Sequence, residues 1–542
     1  MLRVKRRYGA ATSYLSKFTL LPQYKLKCGL EIHTQLNTAN KLFSLSTNDP
    51  FHSSKSPNSL TSHFDIALPG TQPKLNYEAV LLGLKLSVAL NCKINLNSHF
   101  DRKHYFYGDQ PLGYQITQHF SPFASDGQMP LWQDIDDIDT KSKNINIIQL
   151  QIEQDTGKSL YKDVDKITLI DLNRSNVPLI EMVTEPDFSD LKEIRAFIKK
   201  YQNLVRHLDI STGDLETGAM RVDVNMSINE FARVELKNLP NTSAIMNAIK
   251  YEYQRQVKII KDGGGMEHLS SAETRGWNGS STVKLRSKET TIDYRYMPDP
   301  ELPSISLSPD AIESIAKRLP PIPDEILNKL THEPYNLSLK DAKILTISSN
   351  SQVELYTHEE LRNYYFDTFH SYNNAVLKEK IGKVKPKLPI NWIVHELLGD
   401  LNKLKIPLLE AKKVLTPQKL KDFLILIHKG DISSASGKLL LFHILEMIKK
   451  ENFSSEGQLN LEKLISQYDL ATIKAIDSND LQKLCQDIIT QVNDDRLISD
   501  IASGKRRNSL KFLIGQGMRY SQGRIKAQEF DKMFKKILNI TY

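Results

Sequence analysis

Residues 218–241 read GAMRVDVNMSINEFARVELKNLPN, and the alternation inside this stretch decides the architecture around it. Successive side chains of a strand point to opposite faces, so residues of one parity share a surface. Val222, Val224, Met226 and Ile228 are apolar, while Asp223, Asn225 and Ser227 between them are polar. Val234 and Leu236 are apolar, while Arg233, Glu235 and Lys237 are polar. Only residues 229–232 separate the two runs, which predicts an antiparallel hairpin with Asp223, Asn225, Glu235 and Lys237 side by side on one face.

The same parity recurs elsewhere. In LEIHTQL (30–36), Glu31, His33 and Gln35 oppose Leu30, Ile32 and Leu36; in QLQIEQ (149–154), Gln149, Gln151 and Glu153 oppose Ile148, Leu150 and Ile152. Two readings stay open at this level. One is a half-exposed sheet wetted by solvent. The other is a gathering of carboxylates for a hard divalent ion such as Mg2+, which takes oxygen ligands at about 2.1 Å and completes its shell with water.

Around these runs, residues 21–305 read as strands joined by turns, with helical periodicity at 76–91, 190–208 and 243–262. The proline-rich stretches PDPELPSISLSPD (298–310) and RLPPIPDE (318–325) mark the exit from this half. Beyond them the pattern is amphipathic helix after helix, and Thr416 followed by Pro417 reads as an N-cap with proline in the first turn. The fold class is therefore an α+β N-terminal domain followed by all-α domains, divided as 21–305, 306–414 and 415–542.

Composition sets outer limits. With 542 residues, 40% hydrophobic and 25% charged, the chain is an ordinary folded protein of several domains. Cys28, Cys92 and Cys485 are too few and too scattered for a disulfide framework or a four-thiolate zinc site. No run approaches the ~18–20 apolar residues that cross a bilayer. The net charge of +8 is concentrated at the two ends. Residues 1–30 carry seven basic side chains and no acid, so 1–20 read as a mitochondrial transit peptide or, failing that, a basic arm. Residues 501–542 carry ten basic side chains against Glu529 and Asp531. They form either a phosphate-binding face, with Lys505, Arg506, Arg507, Lys511, Arg519 and Arg524 as its candidates, or a solvated basic helix.

Several familiar nucleotide and nucleophile motifs are absent. QDTGKS (154–159) ends like a phosphate-binding loop, but the first glycine that motif needs would fall at Ile152. NGSST (278–282) lacks the fuller glycine-serine signature of an amidase, and no cysteine has a glutaminase setting. Any ATP must be held by a sheet face, and any ammonia must come from another protein.

Taken together, GLEIHTQL (29–36), FDRKHYFYGDQPLGYQITQ (100–118), LIDLNRSNVPLIEMVTEPD (169–187), GAMRVDVNMS (218–227), RVELKNLPN (233–241), ETRGW (273–277) and RSKETTIDYRYMPDPELP (286–303) closely resemble one family. It is the GatB family, the B subunits of the tRNA-dependent amidotransferase that converts Glu-tRNA(Gln) to Gln-tRNA(Gln), in its mitochondrial form. The resemblance continues through NWIVHELLGDLN (391–402) and GKRRNSLKFLIGQGMRYSQGR (504–524).

The resemblance implies a cradle domain with an antiparallel sheet core similar to glutamine synthetase and guanido kinases, then a helical domain and a YqeY-like helical tail that binds tRNA. It implies ATP and Mg2+ as cofactors, phosphorylation of the γ-carboxylate of tRNA-bound glutamate, and displacement of the phosphate by ammonia. The family's catalytic and metal positions fall on Glu31, His33, Glu153, Glu181, Asp223 and Glu235. Mg2+ prefers oxygen, so His33 fits a phosphate or an intervening water better than the ion itself. Arg102, Lys103, Tyr105, Tyr107, Lys237 and Arg295 are the candidates for holding ATP or the tRNA 3′ end.

Where bacterial members carry paired cysteines, residues 42–70 have none, and no zinc is expected. Where the family has two consecutive glutamates, this chain has Glu153 then Gln154, leaving open which one faces a metal. The implied partners are an amidase-type glutaminase (the A subunit), a small third subunit of C type or fungal F type, and Glu-tRNA(Gln), in the mitochondrial matrix. Amidation of Asp-tRNA(Asn), or a tRNA-binding scaffold without catalysis, are the alternatives.

Overall fold

The computed structural model describes residues 18–49, 56–162, 166–287, 294–347, 355–450, 457, 459–473, 477–492, 494–502, 509–521 and 523–540. The proposed leader up to residue 17, and Lys505, Arg506 and Arg507, lie outside the described residues. The chain divides into two compact units, the first ending at Ile322 and the second starting at Pro323.

Leu26–Gln35 is the middle strand of a nine-stranded sheet in the first unit. On one side follow Met220–Ile228, Val234–Lys237, Glu273–Trp277 and Thr282–Ser287; on the other Pro178–Thr184, Ser142–Gln154, Ala124–Trp132 and Lys93–Ile94. The hairpin read from the alternation is present, with Val224 opposite Leu236 and Asn225 opposite Glu235. Asn238, in the left-handed region at φ 64°, ends its second strand.

The sheet is not purely antiparallel, because Val234–Lys237 and Glu273–Trp277 run parallel. Parallel neighbours need a long crossover, and here the helix Thr242–Lys261 supplies it. Periodicity reports the helix but not the direction in which the chain returns, so this correction to an antiparallel core could not be read locally.

One face of the sheet is apolar and buried. Cys28, Leu30 and Ile32 of the central strand and Val222, Val224, Met226 and Ile228 beside it join the core. They share it with the helices Tyr77–Ala89, Leu191–His207 and Thr242–Lys261, whose ends fall within two residues of the periodicity. Leu191–His207 starts at a capping box in which Asp190 and Glu193 satisfy each other's backbone N–H groups. It buries Ile194, Phe197, Ile198, Tyr201 and Val205. Each such side chain is worth roughly 1.5–3 kcal/mol when fully buried, so the helices are held firmly to this face.

The alternation fails once. Ile148, expected on the buried side with Leu150 and Ile152, is 40% exposed. Between Val183 and Thr184 of the adjacent strand the register skips it, making Ile148 the extra residue of a β-bulge.

Among the described residues the second unit is helical, apart from an isolated bridge between Ile432 and Ala471. The helix Pro417–Lys429 opens as the sequence suggests, with the Thr416 side chain accepting from the Lys419 N–H. The last helices enclose a core of Cys485, Ile488, Leu513, Phe530 and Phe534. Where Leu510–Tyr520 meets Ala527–Ile537, a Cβ on Gly517 would sit 2.6 Å from the Phe530 ring. No helix among the described residues is long and apolar enough to cross a membrane.

Candidate functional site

With the helices on one face, the polar parity of the same strands lines the other. Glu31 faces Asp223, and His33 faces Glu181 on one neighbouring strand and Arg221 on the other. Two groups of ligand atoms result, Glu31 with Asp223 and Glu235, and His33 with Glu153 and Glu181. Within each group the atoms lie within 4.8 Å of one another. The groups adjoin through Glu31 and His33, two residues apart on the central strand. All six residues named from the sequence are therefore on one surface.

Short hydrogen bonds fix the first group. Lys237 Nζ donates to Asp223 Oδ2 at 2.6 Å and lies 3.0 Å from Glu235 Oε1. Asn225 Nδ2 donates to Glu31 Oε1 at 2.7 Å, and the Thr274 hydroxyl donates to Glu235 Oε2 at 2.7 Å. In the second group His33 Nε2 lies 3.4 Å from Glu153 Oε1 and 3.6 Å from Glu181 Oε1, and the Thr117 hydroxyl donates to Glu153 Oε2 at 3.2 Å. Glu153, not Gln154, joins the group; Gln154 Nε2 donates instead to the Tyr114 carbonyl at 3.3 Å.

The electrostatics follow from crowding like charges into a half-buried floor. Burial raises the Glu153 carboxyl to about 7 despite the Lys103 ammonium nearby. Burial, then Glu153 and Glu31, hold Glu181 well above the usual carboxylate range. Burial also raises Asp223, against the pull of Lys237. His33 is pushed down to about 3 by burial and by Arg221 and Lys237, so its imidazole is neutral. Lys237 is held above an ordinary lysine because Asp223 and Glu235 outweigh its burial.

A floor of carboxylates that resist ionising together fits a divalent cation, whose charge would remove the repulsion. The donor set is mostly hard oxygen, as Mg2+ requires. Among the described residues the buried Asn225 Oδ1 has no hydrogen-bond partner, and it offers one more oxygen.

The residues named for ATP or the tRNA end are placed unequally. Lys103 faces the carboxylates, and burial of its ammonium is outweighed by Tyr296, Glu153 and Glu181, which hold it above an ordinary lysine. Its Nζ also lies 4.8 Å from the centre of the Tyr294 ring. The Tyr105 and Tyr107 rings are 4.4 Å apart, and Tyr107 is exposed. Arg102 is engaged elsewhere, 2.8 Å from Asp299 and 3.1 Å from Glu301, over the Tyr114 ring. Arg295 is exposed, with its carbonyl 2.8 Å from His104 Nδ1.

In the tail, Lys511 and Arg519 are exposed on Leu510–Tyr520, whereas Arg524 pairs with Asp469 and the Ala471 carbonyl. Sequence reasoning missed Arg221 and Asp155, which form an ion pair beside His33. Arg221 has the parity of Asp223 and could have been found by it. Asp155 lies past the strand end, where parity has no meaning.

Comparison with known proteins identifies the family. Residues 26–313 match the GatB/GatE catalytic domain, and residues 375–538 match the GatB domain that shares its name with YqeY. The chain is 68% identical over its full length to the whole B subunit of the mitochondrial glutamyl-tRNA(Gln) amidotransferase of Zygosaccharomyces rouxii. It is 61% identical to that of Kluyveromyces lactis and 60% identical to that of Saccharomyces cerevisiae strain S288c, again with both chains covered throughout. With a match spanning the whole polar-faced sheet and relatives aligned end to end, the chain belongs to the GatB family of glutamyl-tRNA(Gln) amidotransferase B subunits.

Proposed function

We propose that this chain is the phosphorylating subunit of a mitochondrial enzyme that converts Glu-tRNA(Gln) to Gln-tRNA(Gln). The observation that carries the reading is the pair of adjoining carboxylate groups on the open face of the sheet. A free carboxylate is a poor acyl donor, and transfer of the ATP γ-phosphoryl group makes it an acyl phosphate from which ammonia displaces phosphate. Such transfer needs positioning and charge stabilisation rather than covalent help from the protein. Glu31, Asp223 and Glu235, with Glu153 and Glu181, would hold Mg2+, which supplies positive charge to the phosphate oxygens when bound. Neutral His33 would orient a phosphate oxygen or a water. Lys237 keeps Asp223 and Glu235 in place, and Lys103 faces the incoming anion.

The nitrogen comes from outside. Burial pushes the Cys92 and Cys485 thiols up to about 12 and Cys28 higher still, so none is a ready nucleophile. An amidase-type glutaminase, with a small third protein to join the two, completes the enzyme. The helical tail binds tRNA through the exposed Lys511 and Arg519 together with the basic run 505–507. The domain reading 21–305, 306–414 and 415–542 and the glutamine synthetase-like core belong to the same proposal.

The test is to incubate the protein, co-expressed with its glutaminase partner, with Mg2+, ATP, glutamine and labelled Glu-tRNA(Gln). Glutamine on the recovered tRNA only when ATP is present supports the reading. Bound tRNA that remains glutamylated contradicts it.

A further inference from the structure

We infer that Arg221, oriented by Asp155, is the guanidinium that grips the phosphoryl group as it passes from ATP to the glutamate carboxylate. This rests on the function proposed above and adds a residue to it.

Arg221 stands opposite His33 in the strand register, on the polar face, and its guanidinium reaches Asp155, the residue just past the end of Ser142–Gln154. Its charge is felt at both His33 and Glu153. Nη2 lies 2.9 Å from Asp155 Oδ2, and the side chain keeps 34% of its surface open. Among the described residues no other acceptor is hydrogen-bonded to this guanidinium. An arginine carries five N–H donors in a fixed fork, so one edge is anchored and the rest remain available.

The anchor is itself held. Asp155 is 2% exposed. Its Oδ1 accepts from the Thr156 N–H at 2.8 Å, and its Oδ2 takes Gln35 Nε2 at 3.4 Å and faces Arg174 Nε at 3.5 Å. Arg221 and Arg174 outweigh its burial, holding it ionised below the usual range.

Lys103 faces the incoming anion as a point charge, and the remaining cations around this face have other work. Lys237 is shared by Asp223 and Glu235. Arg174 donates to the Thr156 and Gly157 carbonyls. Arg102 is taken by Asp299 and Glu301. Arg221 is therefore the arginine at the carboxylate floor with donors to spare, and a planar fork matches two phosphoryl oxygens where a lysine offers a point charge.

In the step it serves, a glutamate oxygen bonds to the γ-phosphorus while the bond to the bridging oxygen breaks, and ADP leaves with that electron pair. The guanidinium gives up no proton; its N–H groups hold the phosphoryl oxygens apart from the carboxylates below.

The test uses the assembled complex with ammonium chloride as nitrogen source, comparing wild type with Arg221→Ala, Arg221→Lys, Asp155→Asn and the Arg221→Ala/Asp155→Asn double variant. Arg221→Ala should lose about a hundredfold or more in kcat, the scale of losing an aligned donor to developing charge, with its KM for Glu-tRNA(Gln) unchanged. Millimolar guanidinium should restore part of that rate, and should not restore Glu31→Gln. Arg221→Lys should recover little. Asp155→Asn should lose less, and should add nothing to Arg221→Ala in the double variant. An Arg221→Ala complex at wild-type rate overturns the inference. So does a loss that guanidinium does not rescue while Arg221→Lys and Asp155→Asn keep full activity, because the pair is then only a structural ion pair. A wild-type complex that makes no glutamine with ATP defeats the proposed function instead.

Discussion

His33 and Glu153 come within 3.4 Å of each other although the whole strand Pro178–Thr184 lies between theirs. Strands two apart in a sheet are nearly 10 Å apart at the backbone, so both side chains lean inward over Glu181. Such convergence of an imidazole and two carboxylates takes all three out of their ordinary ionisation ranges.

The first prediction concerns pH. Glu153 at about 7 and Glu181 well above the usual carboxylate range mean that the metal-free protein holds protons here that the unfolded chain, with ordinary carboxylates, releases. By linkage, this contribution to stability is full below the unfolded carboxylate pKa and is lost as pH rises through about 7. Mg2+ needs the ionised forms, so its binding displaces protons and weakens as pH falls. Thermal melts with and without Mg2+ should show a larger Mg2+-induced rise in Tm at pH 8 than at pH 6. An equal rise at both would contradict the assignment.

The second prediction separates the two groups. Glu181→Gln removes one carboxylate from the second group and should weaken Mg2+ binding, followed by isothermal titration at pH 8. If Mg2+ affinity is unaltered, Glu181 is not a ligand.

The third concerns the tail. Lys511→Ala with Arg519→Ala should weaken tRNA binding and flatten its salt dependence by roughly 0.9 for each phosphate no longer neutralised. Arg524→Ala should instead lower the stability of the tail, because it takes from Asp469 and the Ala471 carbonyl their shared partner. A filter-binding series across salt concentrations, beside a thermal melt, distinguishes the two outcomes.

The fourth is a packing test. A methyl on Gly517 meets the Phe530 ring inside van der Waals distance, so Gly517→Ala should cost about 1–3 kcal/mol in the stability of the last helices. Chemical denaturation followed in that region should show it, and an unchanged midpoint would mean that the two helices shift apart freely.

Legibility followed the range of each interaction. Asp223, Asn225, Glu235 and Lys237 were readable because a hairpin brings them together within twenty residues, and Thr416 with Pro417 because a cap is a local event. The meeting of Glu153 with His33 was not derivable by parity alone, since it depends on Pro178–Thr184 being inserted between their strands; there the family resemblance supplied what alternation could not. The bulge at Ile148 defeats parity by definition. The carboxylates that pair with Arg102 and Arg524 were not legible either, because they come from residues that are distant in the sequence.

The most direct test of the account is ATP-dependent conversion of Glu-tRNA(Gln) by the wild-type complex and by its Asp223→Asn variant, with ammonium chloride replacing glutamine so that the partner's chemistry is bypassed. The account predicts glutamine on the tRNA with the wild type and ATP, and none with Asp223→Asn although tRNA binding is retained. Equal conversion by both, or conversion by the wild type without ATP, would contradict it.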